Sequence, residues 1–122
     1  MTASILTVDD SASIRVTIKI ALQGAGYTVA EAENGADGIA KANAGNFDLI
    51  ITDLNMPVMD GLTMIEELRK LPAHAGVPII FLTTESDEGM KQRAKAAGAT
   101  GWLTKPFNPE QLVRIAKKVL GR

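Results

Sequence analysis

Five short apolar runs alternate with helix-like segments, and this alternation limits the possible folds more than any other sequence feature. The runs Leu49–Ile51 and Ile79–Leu82 contain no polar residue, as expected of parallel strands buried on both faces. Strands separated in this way by helices predict an α/β fold, in which helices cover both faces of one parallel sheet. The predicted strands are Ser4–Val8, Tyr27–Ala32, Phe47–Thr52, Pro78–Thr83 and Thr100–Thr104.

The segments between these runs have the apolar spacing of amphipathic helices. The first helix carries Ile14, Ile18 and Leu22 on one face, and the last runs from its N-cap Asn108 to a stop at Gly121. The helix predicted over Asp87–Ala97 is the least apolar, and we therefore expect it to be held loosely against the sheet. The other two predicted helices are Gly35–Asn43 and Leu62–Leu71.

The composition indicates one globular domain without a disulfide or a thiol site. The chain has 122 residues, no cysteine, and 14 acidic against 13 basic side chains, for a net charge of -1. A chain of this length buries one hydrophobic core, and near-neutral charge argues against a general nucleic-acid-binding surface. No apolar stretch is long enough to span a membrane, and the N-terminus lacks the basic segment of a signal peptide. We therefore expect residues 1–122 to form one cytoplasmic domain.

Polar and charged side chains stand at the ends of four predicted strands. They are Asp9 and Asp10 on the first strand, Asp53 on the third, Thr83 with Thr84 on the fourth, and Lys105 on the fifth. The carboxyl ends of parallel strands meet at one edge of a sheet, where ligands of such folds bind. One polar residue at a strand end is commonly an exit into solvent. Four such strand ends together predict a functional site.

The chemistry of these side chains suits phosphoryl transfer. Three clustered carboxylates repel one another, and a hard cation such as Mg²⁺, which uses carboxylates, water and phosphate oxygens as ligands, would relieve that repulsion. A carboxylate can also act as the nucleophile and form an aspartyl phosphate, while Lys105 and Thr83 contact the phosphoryl oxygens. Spacing alone leaves the choice of nucleophile open. We favour Asp53, because Asp9 and Asp10 are adjacent and suit the metal.

Together these motifs resemble the receiver domain of two-component response regulators, and within that family the chemotaxis type. The resemblance covers essentially the whole chain in the family's order. It implies a flavodoxin-like (βα)5 three-layer sandwich with strand order 2-1-3-4-5, and a cis Lys105–Pro106 bond. The matching segments are Val8–Asp10, Asp53–Pro57, Met59–Gly61, Leu82–Glu85, Gly98–Ala99 and Lys105–Phe107.

The resemblance also implies a role for each site residue. Asp53 would accept a phosphoryl group from a histidine kinase, and Lys105 would pair with the resulting acyl phosphate. The Mg²⁺ ion would be held by the side chains of Asp10 and Asp53, by the backbone carbonyl of Asn55, and by Asp9 largely through water.

A conformational switch is implied by the same resemblance. Thr83 would hydrogen-bond the phosphoryl group and shift inward, which would let the ring of Trp102 turn inward. Chemotaxis receivers more often have tyrosine or phenylalanine at this position, so a purely structural role at an edge strand is the alternative for Trp102. Asn55, Glu85 and Thr84 would tune hydrolysis of the acyl phosphate. The alternative for Thr84 is a β-branched residue that merely leaves a strand.

The function implied is that of a stand-alone response regulator in chemotaxis. Phosphorylation would change the surface formed by helix Asp87–Ala97, the strand around Trp102, and the last helix near Gln111 and Lys118. That surface would bind an output protein such as the flagellar motor switch, and a phosphatase is a further candidate partner. We expect a monomer with no nucleic-acid or membrane partner, and no enzymatic activity beyond its own phosphorylation and dephosphorylation.

Three alternatives remain open from the sequence. A phosphorelay intermediate or phosphate sink would use the same residues. A haloacid-dehalogenase-type phosphatase also uses a strand-end aspartate, Mg²⁺ and a lysine, but it needs a second aspartate two residues later, where this chain has Asn55. A binding module that works without phosphorylation is the third. The chain has no strand-associated GxGxxG and no P-loop, which argues against dinucleotide enzymes and nucleoside triphosphatases.

Overall fold

A five-stranded parallel sheet forms the centre of the structure, a computed structural model that describes residues 3–54, 56–84 and 88–121. The spatial order is β2-β1-β3-β4-β5, and every neighbouring pair is parallel. This confirms the predicted α/β class and the strand order 2-1-3-4-5. The strands are β1 (Ser4–Val8), β2 (Thr28–Ala32), β3 (Leu49–Asp53), β4 (Ile79–Thr84) and β5 (Gly101–Lys105).

Among the described residues, five helices and one short 3-10 turn at Pro72–His74 lie between the strands or after the last one. Four of these helices begin at an N-cap side chain that accepts a hydrogen bond from the backbone N–H three residues later, as capping requires. In the described part of the chain, no helix is long and apolar enough to cross a membrane. The helices are α1 (Ala12–Gly24), α2 (Gly35–Ala44), α3 (Gly61–Lys70), α4 (Glu88–Ala97) and α5 (Pro109–Leu120).

The core has two layers, one on each face of the sheet. Successive strand residues point to opposite faces, so Ile50 packs in the layer under α2, α3 and α4, while Ile51 packs in the layer under α1 and α5. On β4, Phe81 packs in the same layer as Ile50, and Leu82 packs in the same layer as Ile51. This arrangement explains why the central strands are continuously apolar.

Several predicted strand boundaries differ from the structure by one or two residues. β3 ends at Asp53 and β5 ends at Lys105, each one residue later than the strand predicted from the sequence. A charged side chain ends an apolar run in the sequence, but it does not end the hydrogen bonding between the strand backbones. Asp53, for example, is still paired in register with Leu82 of β4. Conversely, Tyr27 lies before β2, because its N–H donates to Leu22 and closes α1.

Gly61 begins α3 at a point where the backbone crosses the end of β3. A Cβ atom added there would lie 2.0 Å from the carbonyl oxygen of Asp53. The N–H of Gly61 donates to the carbonyl of Leu54 at 3.0 Å. The loop after β3 therefore closes tightly only with glycine at this position.

We expect Gly61→Ala to lower the free energy of unfolding by about 1–3 kcal/mol, since the added methyl group must displace the backbone at Asp53. Urea unfolding followed by circular dichroism measures this. The matched control is Gly24→Ala, where a Cβ meets no atom within 4 Å. That change should leave stability unaltered or raise it by up to ~1 kcal/mol. Equal effects of the two substitutions would contradict this account of Gly61.

Candidate functional site

Three aspartates meet at the carboxyl-end edge of the sheet. One carboxylate oxygen each of Asp9, Asp10 and Asp53 lies within 4.8 Å of the others. They meet because β1 and β3 are neighbours, with Val8 in register with Thr52. Asp9 is 1% exposed and Asp53 is also buried, whereas Asp10 is exposed to solvent. The cluster is therefore open on the side of Asp10.

Lys105 supplies positive charge to this cluster. Its Nζ lies 3.3 Å from Oδ1 of Asp53 and 3.7 Å from Oδ2 of Asp9. Since β4 separates β5 from β3, only a long side chain at the end of β5 reaches the aspartates. The peptide bond between Lys105 and Pro106 is cis, as the resemblance implies. One ammonium group faces three carboxylates, so the cluster keeps an excess of negative charge.

Backbone N–H groups orient the two buried carboxylates. The N–H of Ser11 donates to Oδ1 of Asp9, and the N–H of Leu54 donates to Oδ1 of Asp53, both at 2.9 Å. Oδ2 of Asp9 is buried and has no hydrogen-bond partner among the described residues. An all-oxygen donor set with one such orphaned oxygen fits a hard cation such as Mg²⁺.

The environment of Asp9 raises its pKa above the ordinary value of 3.8. Burial is the largest cause, and the nearby charges of Asp53 and Asp10 act in the same direction. The Ser11 N–H and the ammonium of Lys105 oppose the shift without cancelling it. The ionised form of Asp9 is thus disfavoured in the folded protein until a further cation compensates it.

The structure describes some of the remaining predicted site residues and not others. Thr83 is buried at the end of β4, in register with Thr104 of β5. The backbone of Thr84 pairs with Lys105, but its side chain lies outside the described residues. Asn55 and Glu85 lie outside them as well, so the predicted metal-binding carbonyl and the tuning positions stay predictions.

Trp102 stands at the edge of the sheet with 37% of its surface exposed. Its ring stacks on Phe81, with 6.2 Å between centroids and 28° between planes. The ammonium groups of Lys95 and Lys91 lie 4.8 Å and 5.5 Å from the ring centroid, within the range of cation–π attraction. Phe81 lies two residues before Thr83 on β4, on the same face of the sheet. Phe81 therefore lies between the ring of Trp102 and the end of β4 where Thr83 stands.

Helix α4 has two buried residues, and the residue that follows it is hydrogen-bonded to α3. Lys91 and Ala94 are buried, and the guanidinium of Arg69 donates from Nε and Nη2 to the carbonyl of Gly98, at 3.0 Å and 2.7 Å. Burial lowers the pKa of Arg69. A side chain from α3 therefore anchors the residue that follows α4, whereas the expectation that α4 is held loosely against the sheet stays a prediction.

Arg15 is a second residue whose role the sequence analysis missed. Its Nη1 donates to the backbone carbonyl of Asp9, and its Nε lies 3.2 Å from Glu31, which Lys19 also contacts at 3.4 Å. Arg15 thereby joins α1 and β2 to the end of β1. The only sequence signal was two basic residues four positions apart, a pattern common on exposed helix faces.

Comparison with known proteins adds family information to this geometry. The family model for the response regulator receiver domain matches residues 5–117. The solved structure of the chemotaxis response regulator CheY4 of Vibrio cholerae is similar, with 48% identity and a TM-score of 0.94 over 98% of this chain and 100% of that chain.

Two further relatives differ in length. Protein PilH of Pseudomonas aeruginosa is 36% identical over 118 residues, which cover 97% of this chain and 98% of PilH. The transcriptional regulatory protein ResD of Bacillus subtilis is 39% identical over 118 residues, which cover 97% of this chain but 48% of ResD. The chain therefore spans about half the length of ResD.

We expect Asp9→Asn to raise the melting temperature by a few degrees in EDTA, because it removes a buried charge yet keeps an acceptor for Ser11. In the parent, the destabilisation caused by the ionised Asp9 grows as the pH rises from 3.8 through the raised pKa of Asp9, and it is fully present above that pKa. Mg²⁺ should stabilise the parent more than the variant. Thermal unfolding at neutral pH in EDTA and in MgCl₂ measures both effects.

The control for this experiment is Asp60→Asn, which removes a carboxylate from the N-cap of α3. Asparagine caps as well as aspartate, so this variant should retain the full response to Mg²⁺. If Asp9→Asn were less stable than the parent in EDTA and responded fully to Mg²⁺, the carboxylate cluster would not be the metal site.

Proposed function

The chain belongs to the response regulator receiver family, and on that premise we propose that it is a phosphorylation-dependent signalling protein of the chemotaxis type, with Asp53 as the phosphoacceptor. Residues 1–122 would form one receiver domain. The observation that carries the proposal is the placement of Lys105 3.3 Å from Asp53, beside two further aspartates. A buried carboxylate that one lysine only partly neutralises is suited to receiving a phosphoryl group.

The transfer would proceed by attack of a carboxylate oxygen of Asp53 on the phosphorus of a phosphohistidine. The new P–O bond forms as the P–N bond of the donor breaks, and the imidazole leaves with the electron pair. The N–H of Leu54 holds the Asp53 carboxylate in orientation. Lys105, already beside that carboxylate, would turn to the phosphoryl oxygens, and Thr83 on the neighbouring strand would supply a hydroxyl donor.

Asp9, Asp10 and Asp53 would hold Mg²⁺, with the backbone carbonyl of Asn55 as a further ligand. The bound ion would neutralise charge on the phosphoryl oxygens. Asp10, the exposed member, leaves the cluster open to solvent on its side. Asn55, Glu85 and Thr84 would set the rate at which water later hydrolyses the acyl phosphate.

The output would arise on the surface formed by α4, β5 and α5. Phe81 and Thr83 lie on β4 two residues apart, and Phe81 stacks on Trp102. A shift of Thr83 toward the phosphoryl group would therefore reach the exposed ring of Trp102 through one packed neighbour. Similarity to CheY4 of Vibrio cholerae supports chemotaxis, with a histidine kinase as donor and the flagellar motor switch and a phosphatase as candidate partners.

A phosphorelay intermediate or phosphate sink is the second candidate function, since its chemistry at Asp53 is the same. Similarity to ResD also raises a role in transcription, but a net charge of -1 does not favour direct nucleic-acid binding. We further propose a cytoplasmic monomer that catalyses only its own phosphorylation and dephosphorylation.

Incubation with acetyl phosphate and Mg²⁺ should add about 80 Da to the intact protein, as an aspartyl phosphate does. Asp53→Asn should abolish the adduct, whereas the control Asp60→Asn should keep it. Intact-protein mass spectrometry reads both results. An adduct that survives Asp53→Asn, or none in the parent protein, contradicts the proposal. Sustained hydrolysis of p-nitrophenyl phosphate that depends on Asp53 would instead indicate a phosphatase.

We also expect phosphorylation to change the fluorescence of Trp102, the only tryptophan of the chain. Lys105→Ala should permit Mg²⁺ binding and the mass adduct but abolish this change, because the lysine no longer joins β5 to the phosphoryl group. Lys41→Ala, which removes a lysine of α2, is the control. An unchanged emission spectrum in the phosphorylated parent would assign Trp102 a structural role only.

A further inference from the structure

We propose that Arg15 is a positioning residue for the metal site, an inference that rests on the proposed function. Arg15 lies in the first turn of α1, and only 17% of its side chain is exposed. A guanidinium group has no acceptor atom and stays protonated, so Arg15 cannot itself be a metal ligand. It would act through the backbone, by holding the turn that carries Asp9 and Asp10 in the geometry that binds Mg²⁺.

The guanidinium of Arg15 joins this turn to the neighbouring strand. Its Nη1 donates to the backbone carbonyl of Asp9, and its Nε donates to Oε1 of Glu31 on β2 at 3.2 Å. The nitrogen atoms of a guanidinium have a fixed planar arrangement, so the contact with Glu31 also determines where Nη1 lies. Glu31 therefore orients Arg15, and Arg15 in turn fixes the carbonyl of Asp9.

The carbonyl of Asp9 belongs to the peptide group that joins the first two aspartates of the cluster. The N–H of Asp9 donates to the carbonyl of Ala32 at 3.0 Å, and its carboxylate accepts from the N–H of Ser11. A peptide group is planar, so the orientation of the Asp9 carbonyl also fixes the N–H and Cα of Asp10. Because Asp10 is exposed, its position relative to Asp53 depends on this peptide group.

The charge of Arg15 and its hydrogen bonds have opposite effects on a bound cation. A positive charge near the carboxylates repels the cation, so removal of that charge alone should strengthen Mg²⁺ binding. Loss of the hydrogen bond to Asp9 should weaken it, because the ligands are no longer oriented. Lys19 contacts the same Glu31 at 3.4 Å, but it has no hydrogen bond to residues 9–11, all within the described range 3–54. The sign of the change in affinity therefore separates positioning from charge.

Isothermal titration calorimetry of the full chain with MgCl₂ tests the proposal. Arg15→Met should raise the Kd for Mg²⁺ about tenfold, as the loss of a group that orients metal ligands typically does. The matched control is Lys19→Met, which removes the same charge beside Glu31 and should leave the Kd unchanged or lower it by less than about twofold. Circular dichroism establishes that each variant is folded at the temperature of the titration.

A second variant, Arg15→Lys, keeps the positive charge and most of the aliphatic stem. One ammonium nitrogen cannot reproduce the fixed spacing of Nη1 and Nε, so the Kd for Mg²⁺ should still rise about threefold or more. The effect should be confined to metal binding. At Mg²⁺ concentrations that saturate each protein, both Arg15 variants should therefore gain the acyl-phosphate mass from acetyl phosphate as the parent does, and they should lag behind it only at lower concentrations.

Several results would overturn the inference. They are equal or tighter Mg²⁺ binding in Arg15→Met, an equal loss of affinity in Lys19→Met, the parent's affinity in Arg15→Lys, and no Mg²⁺ binding by the parent. Failure of the proposed function has a different signature. If the affinity for Mg²⁺ depended on Arg15 as expected but the parent gained no mass from acetyl phosphate, the positioning role would stand and phosphorylation of Asp53 would not.

Discussion

Repulsion among three carboxylates at one edge of the sheet is the physical constraint on which the rest of this structure depends. Asp9, Asp10 and Asp53 lie within 4.8 Å of one another, and two of them are buried. One lysine, backbone N–H groups and a tightly closed loop at Gly61 hold them there. In the proposed function, the remaining excess of negative charge would make the edge receptive to a metal ion and, through it, to a phosphoryl group.

The path from this edge to the exterior is short and is built from packed side chains. β4 carries both Thr83 and Phe81, and Phe81 stacks on Trp102. Arg69 fixes the carboxyl end of α4 at Gly98, so a rearrangement of that helix would centre on its amino end, which follows β4. Under the proposed function, a local change in charge at Asp53 would bias an exposed surface without any rearrangement of the sheet.

The fold and the charged cluster were predictable because they follow from backbone regularities. Apolar runs define the parallel strands, and the carboxyl ends of such strands share an edge, which places Asp53 and Lys105 together. The tertiary contacts of two long helix side chains were not predictable in this way. Arg69 reaches a carbonyl 29 residues away, and Lys91 is buried against Trp102; both depend on tertiary packing that a helical pattern does not encode. The strand ends were misplaced for a related reason. The prediction used the hydrophobicity of side chains, whereas the ends of a strand are set by hydrogen bonding between backbones.

A crystal structure of the protein with Mg²⁺ and beryllium fluoride, which mimics a phosphoryl group, tests the central claim most directly. The account predicts beryllium bonded to a carboxylate oxygen of Asp53 and Lys105 within hydrogen-bond distance of a fluoride. It places the metal ion on Asp10, Asp53 and the backbone carbonyl of Asn55, with Asp9 largely through water. Beryllium fluoride bound elsewhere, or a metal ion bound away from these aspartates, would contradict it.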